Sequence, residues 1–194
     1  LGSWMGPAEP MDLLLPAGSR IRLSRDEWLD VHHAPGHTPG HILLHNPARR
    51  YALIGDAMFG QYQLDTAGGK SAAPPYTDVT AYRHTIGTIR TLDVDLLLTC
   101  HYPVMRGQEI KQFVADSLAW SERAEQAVHD LLARADEPVT LGDAIDQLDP
   151  VLGPFAAPRE LQWALLAHLD YAAQQEKAQR TTIDEIVAGE RVGD

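Results

Sequence analysis

Three side chains suited to metal chemistry stand at the ends of short apolar runs. His37 lies in Ala34-Pro35-Gly36-His37-Thr38-Pro39-Gly40-His41, a Gly/Pro-rich loop ahead of Ile42–Leu44. Asp56 follows Tyr51–Ile54 in Gly55-Asp56-Ala57-Met58-Phe59, and His101 follows Asp95–Thr99 in Cys100-His101-Tyr102-Pro103. Imidazole nitrogens and carboxylate oxygens suit Zn²⁺ and other borderline divalent ions. A carboxylate has two oxygens and can bridge two ions. Two ions roughly 3.5–4 Å apart acidify a shared water and polarise a carbonyl or phosphoryl oxygen.

The elements that must position these residues are readable nearby. Ile42–Leu44 and Tyr51–Ile54 read as strands joined by a turn at Asn46-Pro47. Asp95–Thr99 reads as a short buried strand. Loops at the ends of a rigid sheet are where ligands and catalytic groups commonly sit.

At these residues the chain resembles the metallo-β-lactamase fold superfamily, and within it the glyoxalase II-like hydrolases. Gly36-His37-Thr38-Pro39-Gly40-His41 matches that family's third metal motif, Gly55-Asp56 with Phe59 its fourth, and Leu96-Leu97-Leu98-Thr99-Cys100-His101-Tyr102-Pro103 its fifth. The resemblance covers roughly Leu13 to Ala119. It implies that His37 serves one metal, His101 a second, and that Asp56 bridges them, with His41 in supporting contact. It also implies two divalent ions, Zn²⁺ first, with Fe or Mn²⁺ as alternatives. Cys100 departs from the pattern, which commonly has Gly there. The family's first motif, His-x-His-x-Asp-His, is absent from the sequence.

The expected fold class is therefore α/β: the second half of an αββα metallo-β-lactamase sandwich, followed by a C-terminal helical or winged-helix-like extension. The expected division is 1–119 for the half-domain and 120–194 for the extension. Arg20–Leu23 and Trp28–His32 alternate polar and apolar, as an edge hairpin does. Gly60 to Pro75 reads as a mobile loop, with Gly68-Gly69 and Pro74-Pro75. Tyr76–Leu92 reads as a helix through Val79, Tyr82, Ile86 and Ile89, capped by Thr77 or Asp78. It returns to Asp95–Thr99 in a β–α–β connection.

Further helices are expected over Gly107–Ala135, over Thr140–Leu148 with Thr140 as N-cap, and over Arg159–Lys177 after Pro158. Arg180–Asp194 is left between a β-wing, a short helix near Ile183–Val187 and a frayed tail. No internal repeat is found.

Composition narrows the function. A length of 194 residues fits one domain with an appendage, and 44% hydrophobic residues can bury a core. A net charge of −11 argues against nucleic acid and anionic membranes, which need clustered Lys and Arg. One Cys forms no internal disulfide and suits a reducing cytoplasm. No apolar run reaches the 18 residues or so of a membrane span, and no secretory signal is read.

Other polar residues have plainer readings. Cys100 reads as a small buried hydrophobe. His32, His33 and His45 read as surface or edge residues, and His84, His129 and His168 as structural or exposed. Tyr62, Tyr76 and Tyr102 either line a pocket or pack. The acids of Asp143–Asp149 read as a solvated face, and Trp120 and Trp163 as packing anchors.

Two function classes follow. The first is a dinuclear metallo-hydrolase of esters, thioesters or lactones, whose other ligands come from a missing N-terminal half or a second chain. The second is a non-catalytic half-domain serving folding or interaction. Three ligands divided over two ions make a weak site, because zinc takes three or four protein ligands. This chain alone is therefore expected to bind metal poorly and to be inactive. One sheet face, including some of Ile42, Leu44, Leu53 and Leu97, is expected to need cover from another segment, a second chain or a homo-oligomer.

Overall fold

The computed structural model describes residues 12–183 and 186–191, with side chains described as far as residue 179. A six-stranded sheet carries the candidate residues. Its strands are β1 (Arg20–Arg22), β2 (Trp28–His33), β3 (Ile42–Asn46), β4 (Tyr51–Gly55), β7 (Leu96–Thr99) and β8 (Met105–Arg106), in that spatial order. Neighbours are antiparallel except β4 and β7, which run parallel. The expected edge hairpin is β1–β2, and the expected β–α–β connection is β4 to β7 through α1 (Val79–Thr91). Asp78 caps α1 by accepting from the Ala81 N–H, and Val79, Tyr82, Ile86 and Ile89 are its buried apolar stripe.

Side-chain parity across the short strands sorts the sheet into two faces. Leu43, Ala52, Ile54 and Leu97 are buried in one apolar core that includes α1 and the long helix α2 (Gln108–Arg134). The other face carries the row Leu44–Leu53–Leu98, paired across β3, β4 and β7, with Ile42 beside it. There Leu53 is 37% exposed, and Ile42, Leu44 and Leu98 are half-buried. Leu97 thus belongs to the covered face and not with Leu53, because it stands one residue from Leu98 on a strand of period two.

The segment expected to be a mobile loop contains a small hairpin, β5 (Gln63–Leu64) with β6 (Lys70–Ala72). Lys70 places its ammonium over the Phe155 ring, 4.7 Å from the centroid, and over Tyr62 at 5.7 Å. The Ser71 carbonyl accepts from the Ala157 N–H, and Ala72, Ala73 and Pro74 are buried. These contacts hold the segment down.

Beyond the sheet, α2 leads to β9 (Val139–Thr140), α3 (Leu141–Leu152), a 3₁₀ turn at Pro158–Leu161, α4 (Gln162–Gln174) and the hairpin β10 (Ala178–Ile183) and β11 (Ile186–Arg191). β11 also pairs with β9, which closes a three-stranded sheet against the helices. Helix, strand, two helices and a hairpin returning to that strand is a winged-helix arrangement. Of the readings of 180–194, the wing is the one found, and residues 184–185 and 192–194 lie outside the described residues. Thr140 caps α3 as expected, and α3 runs on to Leu152 because Pro150 falls in its last turn.

The expected boundary at 119/120 falls inside α2. That helix packs against α1 and β8 on one side and α3, α4 and β11 on the other. One continuous core runs from Ala34 to Ala178 across it. Trp120 is fully buried at this junction, whereas Trp163 is 42% exposed and donates its indole N–H to Glu160. His168 on α4 is buried, and that burial, with Arg83 nearby, pushes its pKa from 6.5 down to about 3. His45 is buried too, against the edge reading, and burial, then His32, lowers its pKa.

Two measurements test this packing. Leu97→Ala should cost about 2–5 kcal/mol by urea unfolding of the chain, while Leu53→Ala should cost under about 1 kcal/mol. Equal costs would refute the division into two faces. Between pH 6.5 and 3 the unfolded chain binds a proton at residue 168 that the folded chain does not. Stability from this residue is therefore complete above pH 6.5 and lost as pH falls toward 3, by an amount on the order of a few kcal/mol. His168→Gln should flatten the acid limb of the stability profile relative to the parent, and an unchanged limb would count against a buried neutral imidazole.

Candidate metal centre

Parallel pairing of β4 and β7 ends both strands at one edge of the sheet. The pairing is Leu53 with Leu98, then Gly55 with Thr99 after a one-residue shift, and Cys100 N–H donates to the Gly55 carbonyl. Asp56 and His101 therefore emerge side by side. His101 Nε2 lies 3.4 Å from Asp56 Oδ1, with both side chains about one-third exposed. Asp56 Oδ1 is itself buried and accepts no hydrogen bond among the described residues. A buried carboxylate oxygen without a donor is costly unless something cationic satisfies it.

Cys100 is exposed, contrary to its reading as a buried hydrophobe. Desolvation of its sulfur and the adjacent Asp56 carboxylate raise its thiol pKa, so this group by itself stays protonated at neutral pH.

His37 is held from behind. Its Nδ1 donates to the Pro75 carbonyl at 2.6 Å, which leaves Nε2 as the free lone pair. A backbone carbonyl on the far nitrogen is the arrangement that fixes the tautomer and ring orientation of metal-bound histidines. The loop below is pinned by α1. Gly36 has φ +129°, and a Cβ there would stand 2.5 Å from Tyr82 Cα. Thr77 N–H donates to the Gly36 carbonyl at 2.7 Å, and Thr85 Oγ1 donates to the Pro35 carbonyl at 2.7 Å.

His41 donates from Nε2 to the Ile54 carbonyl at 3.1 Å and sets its ring edge-on to His37 at 5.9 Å. It thereby fixes the end of β4 just ahead of Asp56. Gly55 has φ +53°, and a Cβ there would press on the His41 ring at 3.3 Å, so the close approach needs glycine.

Phe59 forms an apolar wall touching both histidines, with ring centroids 5.6 Å from His37 and 5.8 Å from His101. Its backbone is braced on both sides. Its N–H donates to Tyr82 Oη, and the Tyr102 hydroxyl sits against the Phe59 and Tyr62 carbonyls. Tyr76 is fully buried, so it packs and does not line a pocket.

The structure brings Asp56 and His101 into contact and places His37 on the far side of shared contacts with Phe59. Among the described residues no three His, Cys, Asp or Glu side chains lie close enough to hold one ion together. Asp56 and His101 thus form a close pair, with His37 reaching the same Phe59 ring. Pro75 and Phe59 were not singled out by sequence reasoning, and only the Phe59 match in the fourth motif hinted at either.

The family profile of the metallo-beta-lactamase superfamily matches residues 7–101. That segment holds His37, Asp56 and His101 in the order and strand context just described. Residues 7–101, just under half of the 194 residues, are similar to the metallo-beta-lactamase superfamily.

Solved structures share the fold. A metallo-beta-lactamase family protein from Thermus thermophilus superposes with a TM-score of 0.69 at 20% identity, covering 96% of this chain and 56% of its own. A beta-lactamase domain protein from Burkholderia ambifaria gives 0.68 at 21% identity, covering 95% and 53%. The sec-alkylsulfatase Pisa1 from Pseudomonas sp. gives 0.53 at 14%, covering 81% and 26%. At these identities the likeness is one of fold. The chain spans about half the length of the first two structures. No curated protein matches the sequence. The superfamily consists mostly of hydrolases and typically binds divalent metals such as zinc or iron.

The donor set fits such ions as far as it goes. His37 offers one imidazole nitrogen already oriented, His101 a second, and Asp56 an unsatisfied buried oxygen. Geometry at Gly36 gives a direct test. Gly36→Ala combines a strained positive φ with a clash against the α1 backbone, each worth about 1–3 kcal/mol. It should lower stability by about 2–6 kcal/mol in urea, and a loss under about 0.5 kcal/mol would show that the loop is not pinned as described.

Proposed function

We propose that this chain contributes His37, Asp56 and His101 to the metal centre of a hydrolase that cleaves an ester, thioester or lactone bond of a small molecule, as glyoxalase II-like enzymes do. The observation that carries the reading is the buried Asp56 oxygen, without a hydrogen bond among the described residues, 3.4 Å from His101 Nε2 at the shared end of β4 and β7. When bound, two divalent ions, most simply Zn²⁺, would supply an acidified water and a Lewis acid for the substrate carbonyl. The residues of this chain do the holding. Pro75 locks His37 through Nδ1, His41 fixes the strand end behind Asp56, and the Phe59 ring lies between His37 and His101. None of these residues is placed to act as general base.

The remaining ligands are proposed to come from a segment outside this sequence. Three donors are too few for two ions. The apolar row Leu44–Leu53–Leu98 gives such a segment a surface to cover, and the chain spans about half of its structural neighbours. A second copy of the chain in a homo-oligomer is the other way to cover that face. A cytoplasmic location is consistent with the single, exposed Cys100. Among the described residues no helix is long and apolar enough to cross a membrane. The alternative, a non-catalytic half-domain, draws on the lack of a three-donor cluster among the described residues.

Metal content and turnover of a generic thioester and lactone, on the protein with every segment it is made with, separate the two. Asp56→Ala should remove metal and activity together. His37→Ala and His101→Ala should each lose metal while leaving unfolding nearly unchanged, and His41→Ala should lose about 10–100-fold in affinity or rate. An Asp56→Ala protein that keeps its metals and its rate would overturn the assignment in favour of the module.

A further inference from the structure

A set of polar contacts from the winged-helix extension converges on Tyr76, the residue after the Pro75 that holds His37. It begins at the surface of α2, where Glu125 pairs with Arg83 Nη1 at 2.7 Å. Arg83 Nε donates to Ser121 Oγ at 3.1 Å, and Ser121 lies beside the phenol of Tyr76. Tyr76 Oη lies 2.7 Å from His168 Nε2 on α4.

The guanidinium can only donate, so Ser121 accepts from it. Tyr76, fully buried and held protonated by that burial, shares its hydroxyl with His168 Nε2, and His168 Nδ1 is buried without a partner.

Tyr76 is the residue after Pro75, whose carbonyl receives the proton of His37 Nδ1. Its ring is fixed on every side: stacked on Tyr82 at 4.1 Å and 15°, edge-on to Trp120 at 6.0 Å and to His168 at 5.7 Å. Thr77 then closes on the Gly36 carbonyl. Residues 75–77 therefore grip residues 36–37 from one side, while Tyr76 is gripped from the other by α2 and α4.

We infer that Tyr76 and His168 are positioning residues for His37: the extension, through the Tyr76–His168 hydrogen bond, sets the Pro75 carbonyl that keeps the His37 proton on Nδ1 and its Nε2 free. The inference rests on the reading of His37 as a metal ligand, but its first consequence is a protonation pattern that exists without metal. It gives the extension a part in the site through residues that stand behind it. Tyr76→Phe keeps the ring stack and removes only the hydroxyl, His168→Leu removes its partner, and His168→Gln restores a polar partner without the imidazole.

The test is tautomer-sensitive ¹H–¹⁵N NMR of the histidine-labelled protein, with every segment it is made with, and thermal unfolding and circular dichroism on each variant. In the parent, His37 should be the Nδ1–H form. Tyr76→Phe and His168→Leu should both shift His37 to a mixture of tautomers while the fold persists, and His168→Gln should return it to the parent pattern. Titration with Zn²⁺ alone should then require about 10–100-fold more metal to perturb the His37 resonances in the first two variants than in the parent or His168→Gln.

If His37 stays fully Nδ1–H in folded Tyr76→Phe and His168→Leu, the inference is wrong. A variant that unfolds is replaced in the comparison by Ser121→Ala, which weakens the same set of contacts and should shift His37 in the same sense. A parent that shows the tautomer pattern but never responds to Zn²⁺ would refute the metal reading and leave the positioning intact.

Discussion

Two neighbouring strands that run parallel must end at the same edge of their sheet, and the candidate site depends on that constraint. β4 and β7 are the one parallel pair among the described strands. The pairing exists because α1 carries the chain back across the sheet and buries Val79, Tyr82, Ile86 and Ile89 in doing so. Reversing the direction of β7 would move His101 to the opposite edge, away from Asp56. The one-residue shift at Gly55 then turns the chain so that Asp56 and His101 face each other and not adjacent strands.

Around that pair the molecule commits backbone groups to holding side chains still. The carbonyls of Pro75 and Ile54 take the protons of His37 and His41, and Tyr82 and Tyr102 brace the backbone of Phe59. Precise sites are built this way, because a ligand whose rotamer is already fixed loses little entropy on binding. The winged-helix extension is part of the same device. Trp120, Tyr76 and His168 meet in its contact with the sheet layer, and the lone hairpin β5–β6 is clipped to it by Lys70 and Phe155.

What the sequence disclosed was local. His37, Asp56 and His101 could be picked out because each sits beside a turn-forming glycine or proline at the end of an apolar run. The helices were legible from their periodicity, and the caps Asp78 and Thr140 from their side chains. What it hid was pairing across distance and parity within short strands. Pro75 is 38 residues from His37, and nothing in either neighbourhood names the other. Leu96-Leu97-Leu98 is apolar throughout, so only the register shows that Leu97 faces the helices and Leu98 the other side. Cys100 and Trp163 were read from average residue behaviour, and the turn after β7 and the outer side of α4 expose them. The hairpin within Gly60–Pro75 was hidden by its glycines, since its order comes from contacts with Phe155 and Ala157 and not from its own composition.

The central proposal is that Asp56 and His101 would hold one ion and His37 a second one beside it. Anomalous diffraction from crystals of the protein, with every segment it is made with, grown in zinc locates the ion without reference to activity. The account predicts zinc density about 2.0–2.2 Å from an Asp56 oxygen and from His101 Nε2, with a second peak at that distance from His37 Nε2. Density absent at saturating zinc, with Asp56 and His101 still paired and His37 still bonded to Pro75, would contradict it.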